Sequence, residues 1–164
     1  SLESIGCHQE IPETQNTIRG NAIQKATYIK ERYGLDCFAD DTGLEVNALN
    51  GAPGVYSARY AGNERCSESN MGLLLTQLSA KKERTARFKT VIALYYQGEL
   101  STFKGICEGE ITDVKNGSGG FGYDPIFKPL GYNKTFAELS FATKNEIGHR
   151  GKAVKKLVNY LNRL

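Results

Sequence analysis

An α/β fold, with a mixed central sheet flanked by helices, is what this sequence pattern predicts. Three observations carry it. Thr17 to Tyr33 and Gly148 to Leu161 repeat apolar residues at helical spacing. Ala86 to Tyr96 is a run of apolar and aromatic residues, and after a Gln97-Gly98 turn Leu100 to Cys107 pairs back as a hairpin. No linker, repeat or low-complexity tract divides the 164 residues, a length that suits one domain with a sizeable core.

Residues 1–14 read as a loop or strand remnant. The first helix carries Ile18, Ala22, Ala26 and Ile29 as its apolar stripe and ends at Gly34 as a C-cap. A strand from Asp36 to Ala39 follows, then an acidic turn, then a strand from Leu44 to Val46. Leu49 to Gly62 is irregular. Asn63 or Ser67 caps a helix that reaches Leu78 and buries Met71, Leu74, Leu75 and Leu78. Glu108 to Val114 is a third strand of the hairpin region, Ile126-Phe127 a strand stub. The final helix is expected to bury Ala153, Leu157, Val158 and Leu161.

The net charge of +3, from 21 basic and 18 acidic residues, is too mild to argue for a nucleic-acid partner and fits an anionic small molecule. No apolar run is long enough to span a bilayer, so no membrane partner is expected. Cys7, Cys37, Cys66 and Cys107 have neither zinc nor redox spacing. They are expected to be reduced thiols of a cytoplasmic protein.

Asp40 and Asp41, between an apolar run and Thr42-Gly43, are either a metal-assisted site or a self-capping backbone turn. Gly117 to Gly122 spells G-x-G-x-x-G, but Tyr123-Asp124-Pro125 follows where a dinucleotide fold needs a helix. The stretch is then a flexible loop or a pocket wall, in which Phe121 stacks on a planar base and Asp124 accepts hydrogen bonds from it. Lys144, His149 and Arg150 gather at the start of the last helix. Cations there oppose the macrodipole, so a phosphate or purine contact competes with a solvated basic face. Arg59, between Tyr56 and Tyr60, is a further candidate anion contact.

Together these stretches resemble the inosine triphosphate pyrophosphatase family. The likeness lies in Phe38 to Val46, Gly51 to Gly62, Gly119 to Phe127, Phe136 to Leu139, and Lys144 with His149-Arg150-Gly151, all in the family's order. It implies two lobes with a cleft between them. It also implies hydrolysis of ITP, dITP or XTP to the monophosphate and pyrophosphate, with Mg²⁺ as cofactor and a homodimer as the assembly. A binding protein of the same fold with little turnover is the alternative.

In such proteins the position of Asp41 is the proton acceptor and a metal ligand. Asp40 would support the metal. Thr42, Phe121, Gly122, Tyr123, Asp124, Lys144, His149 and Arg150 would bind substrate. Two departures stand out. The family's opening strand, phosphate loop and helix are not in this sequence, which implies a single domain over 1–164 truncated at its N-terminus. The metal-binding Glu that relatives carry just before Asn-Ala is replaced by Arg19-Gly20, leaving Glu13 or Glu45 to compensate.

Overall fold

The computed structural model describes residues 1–164. Helix α1 spans Ile18–Tyr33, α2 Ser67–Leu78, α3 Phe141–Ile147 and α4 His149–Leu161. Strands β1 (Cys37–Val46), β2 (Thr85–Tyr96), β3 (Glu99–Ile111) and β4 (Phe127–Pro129) form one sheet in sequence order. The α/β class is as expected, but the sheet is not mixed: all three pairings are antiparallel. Each connection, including the excursion through α2, returns the chain to the end of the sheet it left, whereas parallel pairing needs a crossover to the other end.

Local signals set the helix ends. The Thr17 hydroxyl accepts the Gly20 N–H at 2.9 Å, and Gly34 closes α1 in the left-handed region at φ 68°. α2 begins at Ser67, but its N-cap residue Cys66 makes no capping bond. The expected acidic turn is absent. Asp40 to Gly43 continue β1 without a break, each opposite a β2 residue from Ile92 to Lys89. β3 likewise runs unbroken through Glu108.

Strand alternation assigns the faces. Toward α1, β1 presents Cys37, Ala39 and Asp41, and Val91 and Ala93 of β2 pack there with Ile18, Ala22 and Ala26. The other face carries two clusters. α4 covers Ile92 and Leu94 with Ala153 and Leu157. α2 covers the main core, where Leu44, Phe88, Ile111, Phe127 and Phe136 meet Met71, Leu74 and Leu78. Val158 and Leu161, expected in the core, are 46% and 39% exposed, because only the flank of α4 through His149, Ala153 and Leu157 meets the sheet.

Gly105 of β3 lets α4 lie this close. A Cβ there would enter the His149 carbonyl oxygen and sit 2.6 Å from the Ala153 nitrogen, both backbone atoms that cannot swing away. Gly105→Ala is therefore expected to lower unfolding free energy by about 2–3 kcal/mol. Gly72→Ala, in open space within α2, is expected to raise it by about 0.5–1 kcal/mol. Urea unfolding of both variants checks the contrast.

Candidate active site

Asp40 and Asp41 leave β1 on opposite faces. Asp41 points to α1, where its Oδ1 lies 3.1 Å from the Lys25 ammonium and its Oδ2 accepts from the Asn21 amide at 3.4 Å. Lys25 also donates to Glu13 at 2.5 Å, so two carboxylates converge on one cation. Burial pushes the Asp41 carboxyl above its ordinary range, and Glu13 adds to this; Lys25 and Asn21 only partly offset it. For Lys25, burial opposes its charge, but the two carboxylates outweigh it and raise the ammonium's pKa. Lys25 together with Arg59 matches the charge of the two carboxylates, and it is burial that leaves Asp41 under-compensated.

Asp40 points the other way, and its Oδ2 meets Arg150 Nη2 of α4 at 3.0 Å. Thr42 shares that face and hydrogen-bonds Thr90 at 2.7 Å. Glu45 is engaged by Arg87 at 2.6 Å and Lys89 at 3.3 Å, so of the two compensating candidates only Glu13 reaches Asp41's surroundings. Arg19 is exposed. Arg59 lies 3.7 Å from Glu13 with its guanidinium over the Tyr56 ring.

Beside Thr42 opens a pocket of about 240 Å³ lined by Ser57, Asn70, Phe88, Phe121 to Asp124, His149 and Arg150. A neighbouring cavity of about 400 Å³ lies between Gly119 to Phe121 and α3, sharing Phe121, His149 and Arg150. Arg65 lines both the first pocket and a polar recess formed with Glu13, Lys25 and Arg59, which joins the carboxylate side to the aromatic side.

The glycine loop is anchored. Asp124 is buried and its Oδ2 accepts the Phe121 N–H at 2.8 Å as well as the Lys144 ammonium. Gly120, at φ 77°, sits so close to that carboxylate that a side chain would collide with it. The loop is thus a wall, held so that Phe121 stands 70% exposed with Lys144 4.8 Å over its ring. Tyr123 lies beneath, donating to the Ser57 carbonyl at 2.8 Å.

His149 stacks on Phe88 at 4.6 Å between ring centres. It is buried, and its Nδ1 has no hydrogen-bond partner. Burial, reinforced by Arg150, Lys144 and Lys152, pulls its pKa down to about 3, so the ring is neutral at physiological pH.

The sequence reading singled out Asp40, Asp41, Thr42, Phe121 to Asp124, Lys144, His149 and Arg150. The fold brings all but Asp41 to the aromatic side and sets Asp41 with Glu13 beyond the strand. That reading missed Lys25, Asn21, Ser57 and Asn70. Lys25 had a signal: it falls within the apolar stripe of α1, seven residues from Ile18, where a charge demands a partner.

Paired carboxylates with a half-buried lysine, joined to an aromatic pocket rimmed by cations, define an α/β protein built for a nucleotide. The Ham1 family model matches residues 1–160, and the chain belongs to that family. A relative from Flavobacterium johnsoniae named dITP/XTP pyrophosphatase is 60% identical over 161 residues, covering 98% of this chain and 84% of its own length. One of the same name from Porphyromonas gingivalis is 52% identical, covering 98% and 83%. The solved Ham1 protein of Staphylococcus aureus superposes with a TM-score of 0.95 at 41% identity, covering 98% of this chain and 84% of that one.

The buried imidazole makes stability depend on pH. In the unfolded chain His149 titrates near 6.5, in the folded one at about 3. The folded pKa is depressed, so its contribution is intact above about pH 6.5 and is lost as pH falls toward 3. The expected slope within that window is up to about 1.4 kcal/mol per pH unit. Urea unfolding at pH 7 and pH 5 measures it, and His149→Gln is expected to flatten the difference.

Proposed function

We propose that this protein hydrolyses non-standard purine nucleoside triphosphates, ITP, dITP and XTP, to the monophosphate and pyrophosphate. The observation that carries the reading is the division of labour across β1. Carboxylates and cations suited to a polyphosphate lie on one side, and the aromatic pocket and its neighbouring cavity, which share Phe121, His149 and Arg150 and suit a base, lie on the other. The names of the Flavobacterium and Porphyromonas relatives support the substrate class.

Asp41 and Glu13 fit a Mg²⁺ ion, because that ion is held by one or two carboxylates together with phosphates and water. When bound it would neutralise phosphate charge and make water more nucleophilic. Asp40 is committed to Arg150, so this reading gives the metal to Asp41 with Glu13 rather than to the adjacent pair. The carboxylate of Asp41, its basicity raised by burial, takes a proton from water as the water oxygen attacks the α-phosphorus. The bond from that phosphorus to the bridging oxygen breaks, and pyrophosphate leaves with the electron pair. Lys25 donates to phosphate oxygens while charge shifts toward the leaving group.

Thr42 touches the substrate at the strand, and Phe121 stacks on the base. Gly122 and Tyr123 shape the wall, Asp124 fixes Phe121 and Lys144, and His149 and Arg150 face the 6-position. The same reading places the protein in the cytoplasm as a homodimer, with exposed apolar side chains such as Phe38, Val154 and Val158 as support for the latter. No helix is long and apolar enough to cross a membrane.

Pyrophosphate release from ITP, XTP and ATP, with and without Mg²⁺, tests the assignment. ITP and XTP are expected to turn over and ATP poorly; equal rates for ATP and ITP would overturn it. Asp41→Asn is expected to cut kcat by on the order of 10²–10⁴-fold while leaving the fold intact. Glu13→Gln is expected to raise the Mg²⁺ needed for half-maximal rate by on the order of tenfold or more, and Asp40→Asn to leave it unchanged.

A further inference from the structure

Phe141 is 86% exposed at the first position of α3, at the rim of the 400 Å³ cavity. It belongs to none of the aromatic pairs that build the core around Phe88, Phe127 and Phe136. Folding alone gives no reason for a ring there. One exposed hydrophobe is ordinary on a protein surface. Here, however, the ring shares a cavity with a second exposed aromatic, Phe121.

The helix aims it. Phe141, Lys144 and Asn145 follow at i, i+3 and i+4 on one face of α3, and all three line the cavity with Gly148 just beyond the helix. α3 is fixed in that orientation at both ends. Ser140 caps it by accepting the Thr143 N–H at 3.1 Å, and Lys144 is tied to buried Asp124. The cavity is of the size that holds a small organic ligand.

We propose that Phe141 is a base-stacking residue of this protein, a second aromatic ring besides Phe121 offered to the purine. The inference rests on the purine reading of the site. Its chemistry is that of a planar bicyclic base, whose wide face gains from two rings and whose 6-oxo edge remains free for His149 and Arg150. Because the side chain is almost fully exposed and outside every aromatic pair of the core, its removal is expected to change binding and leave stability unchanged.

The test compares wild type, Phe141→Ala and Phe141→Trp. It measures KM and kcat for ITP, the Kd of inosine 5′-monophosphate by calorimetry, the melting temperature, and the sedimentation coefficient. Phe141→Ala is expected to raise KM and Kd about fivefold or more, the effect of losing one base–aromatic stack, with kcat and melting temperature unchanged. Phe141→Trp is expected to restore both. KM and Kd within twofold of wild type in the alanine variant would overturn the proposal. So would a changed sedimentation coefficient with unchanged KM, which would make the ring a subunit contact. A wild-type protein that neither binds the monophosphate nor releases pyrophosphate from ITP removes the purine reading itself, a result separate from any effect of Phe141.

Discussion

Neighbouring side chains on an extended strand point to opposite faces, and this period of two governs the site. Asp40 and Asp41 are adjacent in sequence yet answer to different helices, Arg150 of α4 for the first and Lys25 of α1 for the second. The two ties are unequal. The Asp40–Arg150 pair is half open to water and contributes little to stability. Asp41 is 12% exposed at its side chain, and a carboxylate that deep without a partner would be strongly destabilising. Lys25 is therefore a structural necessity for this site. The strand that separates the aspartates also separates the half of the cleft with Asp41, Glu13 and Lys25 from the aromatic half.

In the aromatic half, burial holds the His149 imidazole uncharged, reinforced by Arg150, Lys144 and Lys152, and the ring stacks on Phe88. Asp124 balances Lys144 and spends its Oδ2 on the Phe121 amide, which turns a glycine-rich stretch into a fixed wall. Glycine serves that wall at Gly120, where the left-handed backbone and the close carboxylate leave no space for a side chain. Rigid support comes from the sheet through Phe88 and from Tyr123 bonded to Ser57, while the exposed rings of Phe121 and Phe141 stand on the loop and on α3.

Much of this was legible from residue pattern. The stripe Ile18, Ala22, Ala26 and Ile29 with its Gly34 cap gave α1 nearly residue for residue. The Gln97-Gly98 hairpin was legible because turn chemistry is local. What escaped is non-local. Asp40 to Gly43 look like a turn because Asp, Thr and Gly favour turns; ten consecutive pairings to β2 override that preference, which no window around residue 41 contains. α3 escaped because seven residues are too few for an apolar period to declare itself. Val158 and Leu161 lie on an apolar flank by spacing, but the sheet beneath α4 meets only the neighbouring flank. The partnership of Glu13, Lys25 and Asp41 joins three separate segments. Its one trace in sequence is a lysine inside an apolar stripe.

On the purine reading, the aromatic half also decides which of two polar groups, His149 and Arg150, discriminates between bases. A neutral imidazole carries one donor and one acceptor nitrogen, and its tautomer adjusts to the ligand. His149 can therefore face an oxo group or an amine with similar success. A guanidinium has donors only. Arg150 pairs with the 6-oxo group of hypoxanthine or xanthine, but against the amine of adenine its donors meet donors and both are left unpaired as water is expelled. That mismatch costs free energy only if Arg150 is held in place, and the carboxylate that holds it is Asp40. On this reading the first aspartate would act on the base end of the substrate and the second on the phosphate end, because a strand turns each residue away from the last.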